Sequence, residues 1–256
     1  MNVGPSAFKQ AIREASKKSE SKIILALDLD YTPDVESLQL RAERILSLTS
    51  DYVCAVKLNW HLIAPFSLSQ LEHLNTLISS SGLPSIADIK LNDIDNTNRV
   101  ATEYLWKAGF SAVIVNPFVG YEGGLDVVLK RARELGKGVI ALAYMSHKGA
   151  EEGYGLKLED GRTLYEVFLD RAKSWNVDGV VVGTTRPEEI AQARKRLGRD
   201  ILLFSPGSGA QGGDPIKSLE AGADYLIFGR SIVDAKNPGS AVKEIRESLL
   251  PWIENH

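Results

Sequence analysis

The chain has 256 residues and an ordinary globular composition, with 44% hydrophobic and 25% charged residues. That length suits one large α/β domain or two small ones, and the composition argues against disorder. The net charge of -3 excludes a global basic field that would recruit nucleic acid or an anionic membrane, so any anionic ligand must be held by local groups.

The N-terminal segment Ser6–Lys18 has the pattern of an amphipathic helix and lacks the apolar core of a signal peptide. No stretch of the sequence approaches the roughly 20 apolar residues of a membrane span. The single cysteine, Cys54, lies in an apolar run, which predicts a buried, reduced thiol. We therefore expect a cytoplasmic protein that does not associate with membranes.

Short apolar runs rich in Ile, Val and Leu recur along the chain, and they are continuous, as strands covered on both faces should be. Eight such runs begin near Lys22, Tyr52, Leu83, Ala112, Gly138, Asp178, Asp200 and Asp224. Helical patterns lie between them at Val35–Leu48, Ser67–Ser80, Ile94–Lys107, Gly123–Leu135, Thr163–Trp175, Pro187–Leu197, Pro215–Ala221 and Ser240–Ile253. Prolines near first turns and glycines at or just past helix ends support several of these boundaries.

Eight strand–helix units predict an α/β fold of the (β/α)8 TIM-barrel type, with residues 1–256 forming a single domain that carries an N-terminal helix. A doubly wound open sheet is the competing fold. It usually has fewer strands, and no glycine-rich fingerprint follows the first strand here. The longest gap between strands contains the glycine-rich segment Met145–Gly161, which is either a functional loop of the barrel or an insertion without function.

Charged residues are concentrated at the ends of the first three predicted strands, where barrel enzymes place their sites. Because side chains alternate along a strand, Asp88 and Lys90 are predicted to point the same way, and Asp93 adds a carboxylate at the following turn. Asp28 and Lys57 end the two preceding strands. A simple ion pair that closes the barrel mouth is the structural alternative for Asp88 and Lys90.

Interleaved carboxylates and ammonium groups favour a particular chemistry. Carboxylates about 4 Å apart would repel by roughly 4 kcal/mol at an effective dielectric near 20, and lysines between them offset this repulsion and stay protonated. A lysine held in this way can donate a proton and can stabilise negative charge that develops on a substrate. The pattern therefore predicts a site that stabilises or protonates a carbanion.

The ends of strands seven and eight predict a phosphate site. The seventh strand runs into a glycine-rich segment at 205–214, and the eighth ends at Gly229 followed by Arg230. Glycine-rich backbone brings N–H groups close to an anion, and a guanidinium matches phosphate oxygens. Barrels frequently bind phosphate in the loops that follow these two strands.

Binding of a metal ion is the competing role for the carboxylates. Mg²⁺ favours one or two carboxylates together with waters and substrate oxygens, but here two lysines supply the positive charge. The histidines His61, His73, His147 and His256 show no spacing suited to zinc. We therefore expect neither a metal nor another cofactor.

Taken together, these motifs closely resemble those of the orotidine 5′-phosphate decarboxylase family over nearly the whole chain. The resemblance is carried by Asp88-x-Lys90-x-x-Asp93-Ile94-x-x-Thr97, Met145-Ser146-His147, Ser205-Pro206-Gly207-x-Gly209-Ala210-Gln211-Gly212-Gly213-Asp214-Pro215 and Gly229-Arg230-Ser231-Ile232. The first motif alone is shared with related keto-sugar-phosphate enzymes, whereas the combination is highly specific. The resemblance implies cofactor-free decarboxylation of orotidine 5′-phosphate to UMP, the last step of de novo pyrimidine synthesis.

The resemblance also implies roles for individual residues. Lys90 would protonate C6 after CO₂ leaves, and Asp88 would lie near the scissile carboxylate. In a homodimer, Asp93 and Thr97 would reach the site of the neighbouring subunit. The implied catalytic residues are Lys90, Asp88, Asp93 and Lys57, and the implied substrate-binding residues are Asp28, Lys57, Asp88, Lys90, Asp93, Ile94, Thr97, Ser146, Pro206, Gln211, Gly212, Gly229 and Arg230.

Within these sets, Asp28 and Lys57 would hold the ribose hydroxyls, Ser146 would contact the pyrimidine, and Arg230 would hold phosphate together with Gln211 and Gly229.

Two other functions stay open at this point. One is a Mg²⁺-dependent decarboxylase or aldolase that acts on keto-sugar phosphates with the same barrel. The other is a non-catalytic nucleotide-binding protein, although a binding protein would gain little from a costly charge cluster.

Overall fold

The computed structural model of the protein describes residues 6–208 and 212–254. Eight parallel strands follow one another in chain order around a closed barrel. They are β1 (Ile23–Ala26), β2 (Ala55–Asn59), β3 (Ser85–Leu91), β4 (Ala112–Val115), β5 (Gly138–Tyr144), β6 (Gly179–Val182), β7 (Leu202–Pro206) and β8 (Tyr225–Phe228). The predicted barrel is therefore confirmed, and the start of the second strand, expected near Tyr52, is the least accurate of the predicted starts.

The helices alternate with the strands as the sequence patterns predict. They are α1 (Ala7–Ser19), α2 (Val35–Thr49), α3 (Trp60–Ile63), α4 (Leu68–Ser80), α5 (Asp95–Lys107), α6 (Asp126–Leu135), α7 (Ala150–Tyr154), α8 (Leu164–Ser174), α9 (Pro187–Leu197), α10 (Pro215–Glu220), α11 (Arg230–Val233) and α12 (Pro238–Glu254). The short helices α3, α7 and α11 have no counterpart among the predictions. Among the described residues, no helix is both long enough and apolar enough to cross a membrane.

The chain divides into two compact units. One contains the residues up to Ile89, Val100–Val113 and the residues from Phe228 onward, and the other contains Lys90–Arg99 and Ile114–Ile227. The single-domain organisation of residues 1–256 stays a prediction.

In the first unit, β1 pairs with β2 so that Leu25 lies opposite Val56, and every residue of β1 is buried. Cys54 lies just before β2, with its Sγ 3.1 Å from the carbonyl oxygen of Ile23. Burial raises the pKa of the Cys54 thiol well above its usual range. The prediction of a buried, reduced thiol is confirmed.

In the second unit, β5 is buried along its whole length and pairs with β6. Its last residue, Tyr144, stacks in a tilted geometry on Tyr154 of α7, with ring centroids 5.2 Å apart. Tyr165 and Phe168 of α8 extend this aromatic cluster. The segment Met145–Gly161 is therefore attached to the strand through α7, and aromatic pairs of this kind stabilise beyond their buried area by about 0.5–1.5 kcal/mol.

Candidate active site

Three of the predicted charged residues lie in direct contact within the first unit. The parallel register places Lys57 of β2 opposite Ala26 of β1, and Asp88 of β3 opposite Asn59 of β2. The ammonium of Lys57 lies 2.7 Å from Asp88 Oδ2 and 3.3 Å from Asp28 Oδ1. The predicted alternation of acid and base across the first three strands is thus present for these three residues.

Burial decides how strong this cluster is. Lys57 is 4% exposed and Asp88 is 7% exposed, whereas the Asp28 side chain keeps 30% of its surface open. Burial by itself disfavours a charged ammonium, but the attraction and hydrogen bonds of Asp88 and Asp28 more than offset it, so the pKa of Lys57 is raised. Lys57 is consequently a permanent cation at neutral pH, held between two carboxylates.

Lys90 lies near the end of β3 in an unusual backbone conformation. Its φ angle is +48°, in the left-handed region that residues other than glycine rarely adopt. β3 continues through Lys90, as predicted, but the backbone is not extended at this residue, so simple alternation no longer determines whether its side chain points the same way as Asp88. A left-handed lysine at a strand end is a strained position, and strain of this kind is concentrated at functional sites.

The segment that follows β3 carries Asp93, Ile94 and Thr97, and all three residues are exposed. The Asp93 carboxylate accepts a hydrogen bond of 2.7 Å from the backbone N–H of Ile94. One helical turn further on, the buried Asn98 donates from Nδ2 to the Asp93 carbonyl and, at 2.8 Å, to the Gly124 carbonyl. The segment is therefore exposed on one side and attached by a buried amide on the other.

Ser146 follows β5 and lies against the end of β6. A Cβ added to Gly183 would come within 2.7 Å of Ser146 Cα, so this close approach requires glycine. The Thr185 hydroxyl donates to the Ser146 carbonyl at 3.1 Å. The residues that follow β6 therefore determine where Ser146 lies.

The predicted phosphate segment, residues 205–214, begins with the last two residues of β7, Ser205 and Pro206. The Pro206 carbonyl accepts hydrogen bonds from the N–H and from the hydroxyl of Thr184, at 2.8 and 3.1 Å. Gly213 lies so close to Thr184 that a Cβ would be 2.0 Å from its hydroxyl oxygen. Gly212 is exposed with a φ of +79°, and Gln211 lies outside the described residues.

Two buried hydroxyls belong to this segment. Ser205 and Ser208 have no hydrogen-bond partner for their side chains among the residues that the structure describes. The N–H of Gly213 donates back to the carbonyl of Gly207, which brings the two ends of the segment together. Backbone turns of this kind, rich in glycine and hydroxyl groups, are suited to an anion.

Gly229 and Arg230 follow β8, as predicted. A Cβ on Gly229 would lie 3.7 Å from Asp28 Oδ2, in ordinary contact, so the strand end passes beside the charged cluster of the first unit. Arg230 begins α11 and is exposed. Within residues 6–208 and 212–254, no group of three or more His, Cys, Asp or Glu side chains is arranged to hold a metal ion.

A buried ammonium held between carboxylates at the carboxyl ends of barrel strands is typical of an enzyme site on a (β/α)8 barrel. Comparison with known proteins agrees with this class. The model of the orotidine 5′-phosphate decarboxylase / HUMPS family matches residues 21–245. The chain belongs to this family, which confirms the resemblance that the motifs predict.

Individual relatives agree with this assignment. The chain is 39% identical over 233 residues to orotidine 5′-phosphate decarboxylase of Pyrococcus furiosus, which covers 90% of this chain and 98% of the relative. The solved structure of the Methanocaldococcus jannaschii enzyme, complexed with inhibitor BMP, has a TM-score of 0.74 at 29% identity and covers 90% of this chain and 98% of that one. The Leishmania donovani OMP decarboxylase structure has a TM-score of 0.83 at 25% identity and covers 97% and 99%.

The residues that hold the predicted side chains in place are not among the predicted site residues. Gly183, Thr184 and Thr185 follow β6, and the same rule that selected the other strand ends would have selected them. Asn98 gave no such signal, because an asparagine in the first turn of a helix usually faces solvent. Its buried hydrogen bond requires the carbonyl of Gly124, which lies 26 residues away in the sequence.

Proposed function

We propose that this protein catalyses the decarboxylation of orotidine 5′-phosphate to UMP. The observation that carries the proposal is the Lys57 ammonium held between Asp28 and Asp88. Membership of the family and a relative that is named for this activity support the same conclusion. The enzyme would be a carboxy-lyase of pyrimidine biosynthesis.

In the proposed reaction the bond between C6 and the carboxylate breaks, its electron pair stays on C6, and CO₂ leaves. The Lys90 ammonium then donates a proton to C6, which leaves a neutral amine and UMP. Because no ring position delocalises the carbanion, fixed charges must stabilise it. Asp88 would lie near the departing carboxylate, while Asp28 and Lys57 would hold the ribose hydroxyls and maintain the charge network.

Substrate binding would use the remaining predicted residues. Ser146 would contact the pyrimidine, and the proposed phosphate segment after β7, with Pro206, Gln211 and Gly212, would bind the phosphate together with Gly229 and Arg230. The buried hydroxyls of Ser205 and Ser208 support an anion site there. Binding energy from a phosphate that does not react can be used to organise the site around the reacting carbon.

We further propose a homodimer in which Asp93, Ile94 and Thr97 complete the site of the partner subunit. The exposure of all three residues supports this arrangement, and the Ile94 side chain is 65% exposed. On α5, Val100 and Tyr104 are also exposed, at adjacent positions of one helix face. Apolar side chains that are exposed at adjacent positions, with polar residues around them, support an interface on this face of α5.

The reaction would need no cofactor or metal, because the Lys57 ammonium already occupies the position between the carboxylates. The protein would act in the cytoplasm as a single barrel domain, without nucleic acid or membrane partners.

The decisive experiment is turnover of orotidine 5′-phosphate by the purified protein, in buffer alone and with excess EDTA. We expect UMP and CO₂ at the same rate in both. No turnover would favour a nucleotide-binding protein. A loss in EDTA that Mg²⁺ restores would favour the keto-sugar-phosphate reaction of the same barrel.

The shared site can be tested by mixing Lys90→Ala chains with Asp93→Ala chains, each nearly inactive alone. One site of every hybrid dimer takes Lys90 and Asp93 from unmutated copies, and about half of randomly paired dimers are hybrids. Roughly a quarter of wild-type activity should return, by counting sites in a twofold dimer. No recovery despite demonstrated subunit exchange would show that Asp93 acts within its own chain.

A further inference from the structure

We propose that Asn98 is the positioning residue for the segment Asp93–Thr97, and that it holds this segment in the geometry needed to complete the site of the partner subunit. The inference rests on the proposed function, and in particular on the shared site of the dimer. Neither the sequence motifs nor the comparisons assign a role to Asn98.

The first observation is the burial of Asn98. Every residue from Asn92 to Val100 is exposed except Asn98, which is fully buried. An amide is a costly group to bury unless hydrogen bonds replace its hydration. The single inward-facing side chain of this stretch is therefore polar, at a position where an apolar residue would be the simpler way to attach a helix.

The second observation is the pair of acceptors that Asn98 uses. Its Nδ2 donates to the carbonyl of Asp93, which precedes α5, and to the carbonyl of Gly124, which precedes α6. One planar amide group thus links the backbone of the proposed catalytic segment to a second loop of the same unit. Both bonds can form together only when the Asp93 backbone occupies one position, because the two hydrogens of an amide lie in fixed directions.

The third observation is that the Gly124 acceptor is itself held in place. It belongs to the irregular turn Tyr121–Leu125, in which Glu122 has a non-helical ψ of 124° and Gly123 has a φ of +67°. Gly124 is buried, and a Cβ at this position would lie 3.3 Å from the carbonyl oxygen of Val119. The turn therefore presents a carbonyl group outside any regular helix, where a side-chain donor can reach it.

The functional consequence concerns Asp93. Its side chain is exposed and accepts a bond from the neighbouring Ile94 N–H, so local contacts alone hold the carboxylate weakly. The buried bond from Asn98 fixes the backbone from which this carboxylate projects. Asn98 would thus act on the partner's reaction without contacting the substrate.

The test uses Asn98→Ala, with Asn75→Ala as the matched control. Asn75 is also buried, and its Nδ2 donates to the Ala108 carbonyl at 2.8 Å, at the opposite end of α5 from Asp93. We expect Asn98→Ala to lower kcat/KM by about 10- to 100-fold, since a displacement near 1 Å can cost that much. Asn75→Ala should lower the stability but leave kcat/KM within about twofold of wild type, because its bond lies away from the proposed site.

Subunit mixing separates positioning in the partner's site from a general loss of structure. Asn98→Ala chains are mixed with Lys90→Ala chains. If Asn98 acts on the partner, one site of each hybrid combines an intact Lys90 with an intact Asp93 segment, and about a quarter of wild-type activity should return. If Asn98 acts within its own chain, activity stays at the level that the Asn98→Ala dimers alone supply, which would overturn the inference.

The mixture of Lys90→Ala with Asp93→Ala serves as the reference. Recovery in that mixture but not with Asn98→Ala would reject the role of Asn98 and leave the shared site intact. No recovery in either mixture, despite subunit exchange, would reject the shared site itself. If Asn98→Ala does not fold, Asn98→Ser, which keeps one donor, replaces it, and failure of both variants to fold would assign Asn98 to general stability and reject the inference.

Discussion

The Lys57 ammonium lies 2.7 Å from Asp88 Oδ2, and both side chains are almost completely buried. The strand register brings them together, since Lys57 and Asp88 come from neighbouring parallel strands. The charges are therefore in place before any substrate arrives, and no reorganisation is needed at the moment of reaction. The same arrangement has a cost, because two ions must be removed from water.

Removing one charge of this pair should destabilise the fold. Lys57→Met leaves the Asp88 carboxylate buried beside a hydrocarbon, and we expect a loss of about 3–5 kcal/mol in the free energy of unfolding. The double variant Lys57→Met/Asp88→Asn should recover most of that loss while staying inactive. Urea unfolding of the two single variants and the double variant measures the coupling. Equal stability of Lys57→Met and wild type would contradict the buried ion pair.

The pair should also make stability depend on pH in the alkaline range. The pKa of Lys57 is raised in the folded state above its ordinary 10.5, so protonation favours the folded state. This contribution is complete below the unfolded-state pKa of about 10.4 and is lost as the pH rises through the folded-state value. The stability of wild type relative to Lys57→Met/Asp88→Asn should stay constant from about pH 7 to pH 9. Above about pH 10.5 wild type should lose stability relative to the double variant. Urea unfolding at pH 8 and pH 11 tests this.

The backbone at Lys90 predicts an unusual order of stability for two inactive variants. Lys90→Ala and Lys90→Gly both remove the proposed proton donor, and kcat should fall by several orders of magnitude in each. Because φ is +48°, glycine relieves strain that alanine keeps, and Lys90→Gly should be more stable than Lys90→Ala by about 1 kcal/mol. Thermal unfolding compares them, and a more stable alanine variant would argue against the left-handed conformation.

Gly183 should tolerate no side chain. A Cβ there would lie 2.7 Å from Ser146 Cα, and we expect Gly183→Ala to destabilise by about 1–3 kcal/mol and to raise KM by displacing Ser146. Gly153 of α7 is the matched control, since nothing lies within 4 Å of its Cβ position. Gly153→Ala should be neutral or stabilising by up to about 1 kcal/mol. Steady-state kinetics and thermal unfolding of both variants provide the measurement.

Arg230 should act on binding rather than on chemistry. It lies at the start of α11 and is assigned to a phosphate that does not react, so Arg230→Ala should mainly raise KM for orotidine 5′-phosphate. The loss should shrink for orotidine, which lacks the phosphate. Steady-state kinetics on both substrates measures it, and an equal loss on both would show that Arg230 does not hold the phosphate.

The sequence predicts most of the fold because the signals that define the strands and helices of the barrel are local in the sequence. Each strand is a continuous apolar run and each helix has its own boundary signals, so Pro187 and Gly136 mark a helix start and a helix end without knowledge of the rest. The rule that barrel sites lie at strand ends then brings Asp28, Lys57 and Asp88 together. Their contact confirms this part of the prediction.

The remaining features depend on long-range contacts. A left-handed Lys90 contradicts the local preference of lysine, so no propensity could indicate it. The burial of Asn98 requires the turn at Gly124, and the close approach at Gly183 requires Ser146, and in both cases the partner lies far away in sequence. Positions of this kind are where local rules fail and where functional constraints are concentrated.

Cys54 provides a natural probe of how the barrel opens. Its thiol is the only one in the sequence, and it is buried against the Ile23 carbonyl beside the first strand pair. A thiol reagent can react only when β1 and β2 separate, since reaction requires an exposed thiolate. The labelling rate therefore reports the free energy of opening at this pair, without a fluorophore or an added tag. Comparison with global unfolding would show whether β1 and β2, the strand that carries Lys57, separate before the rest of the chain unfolds.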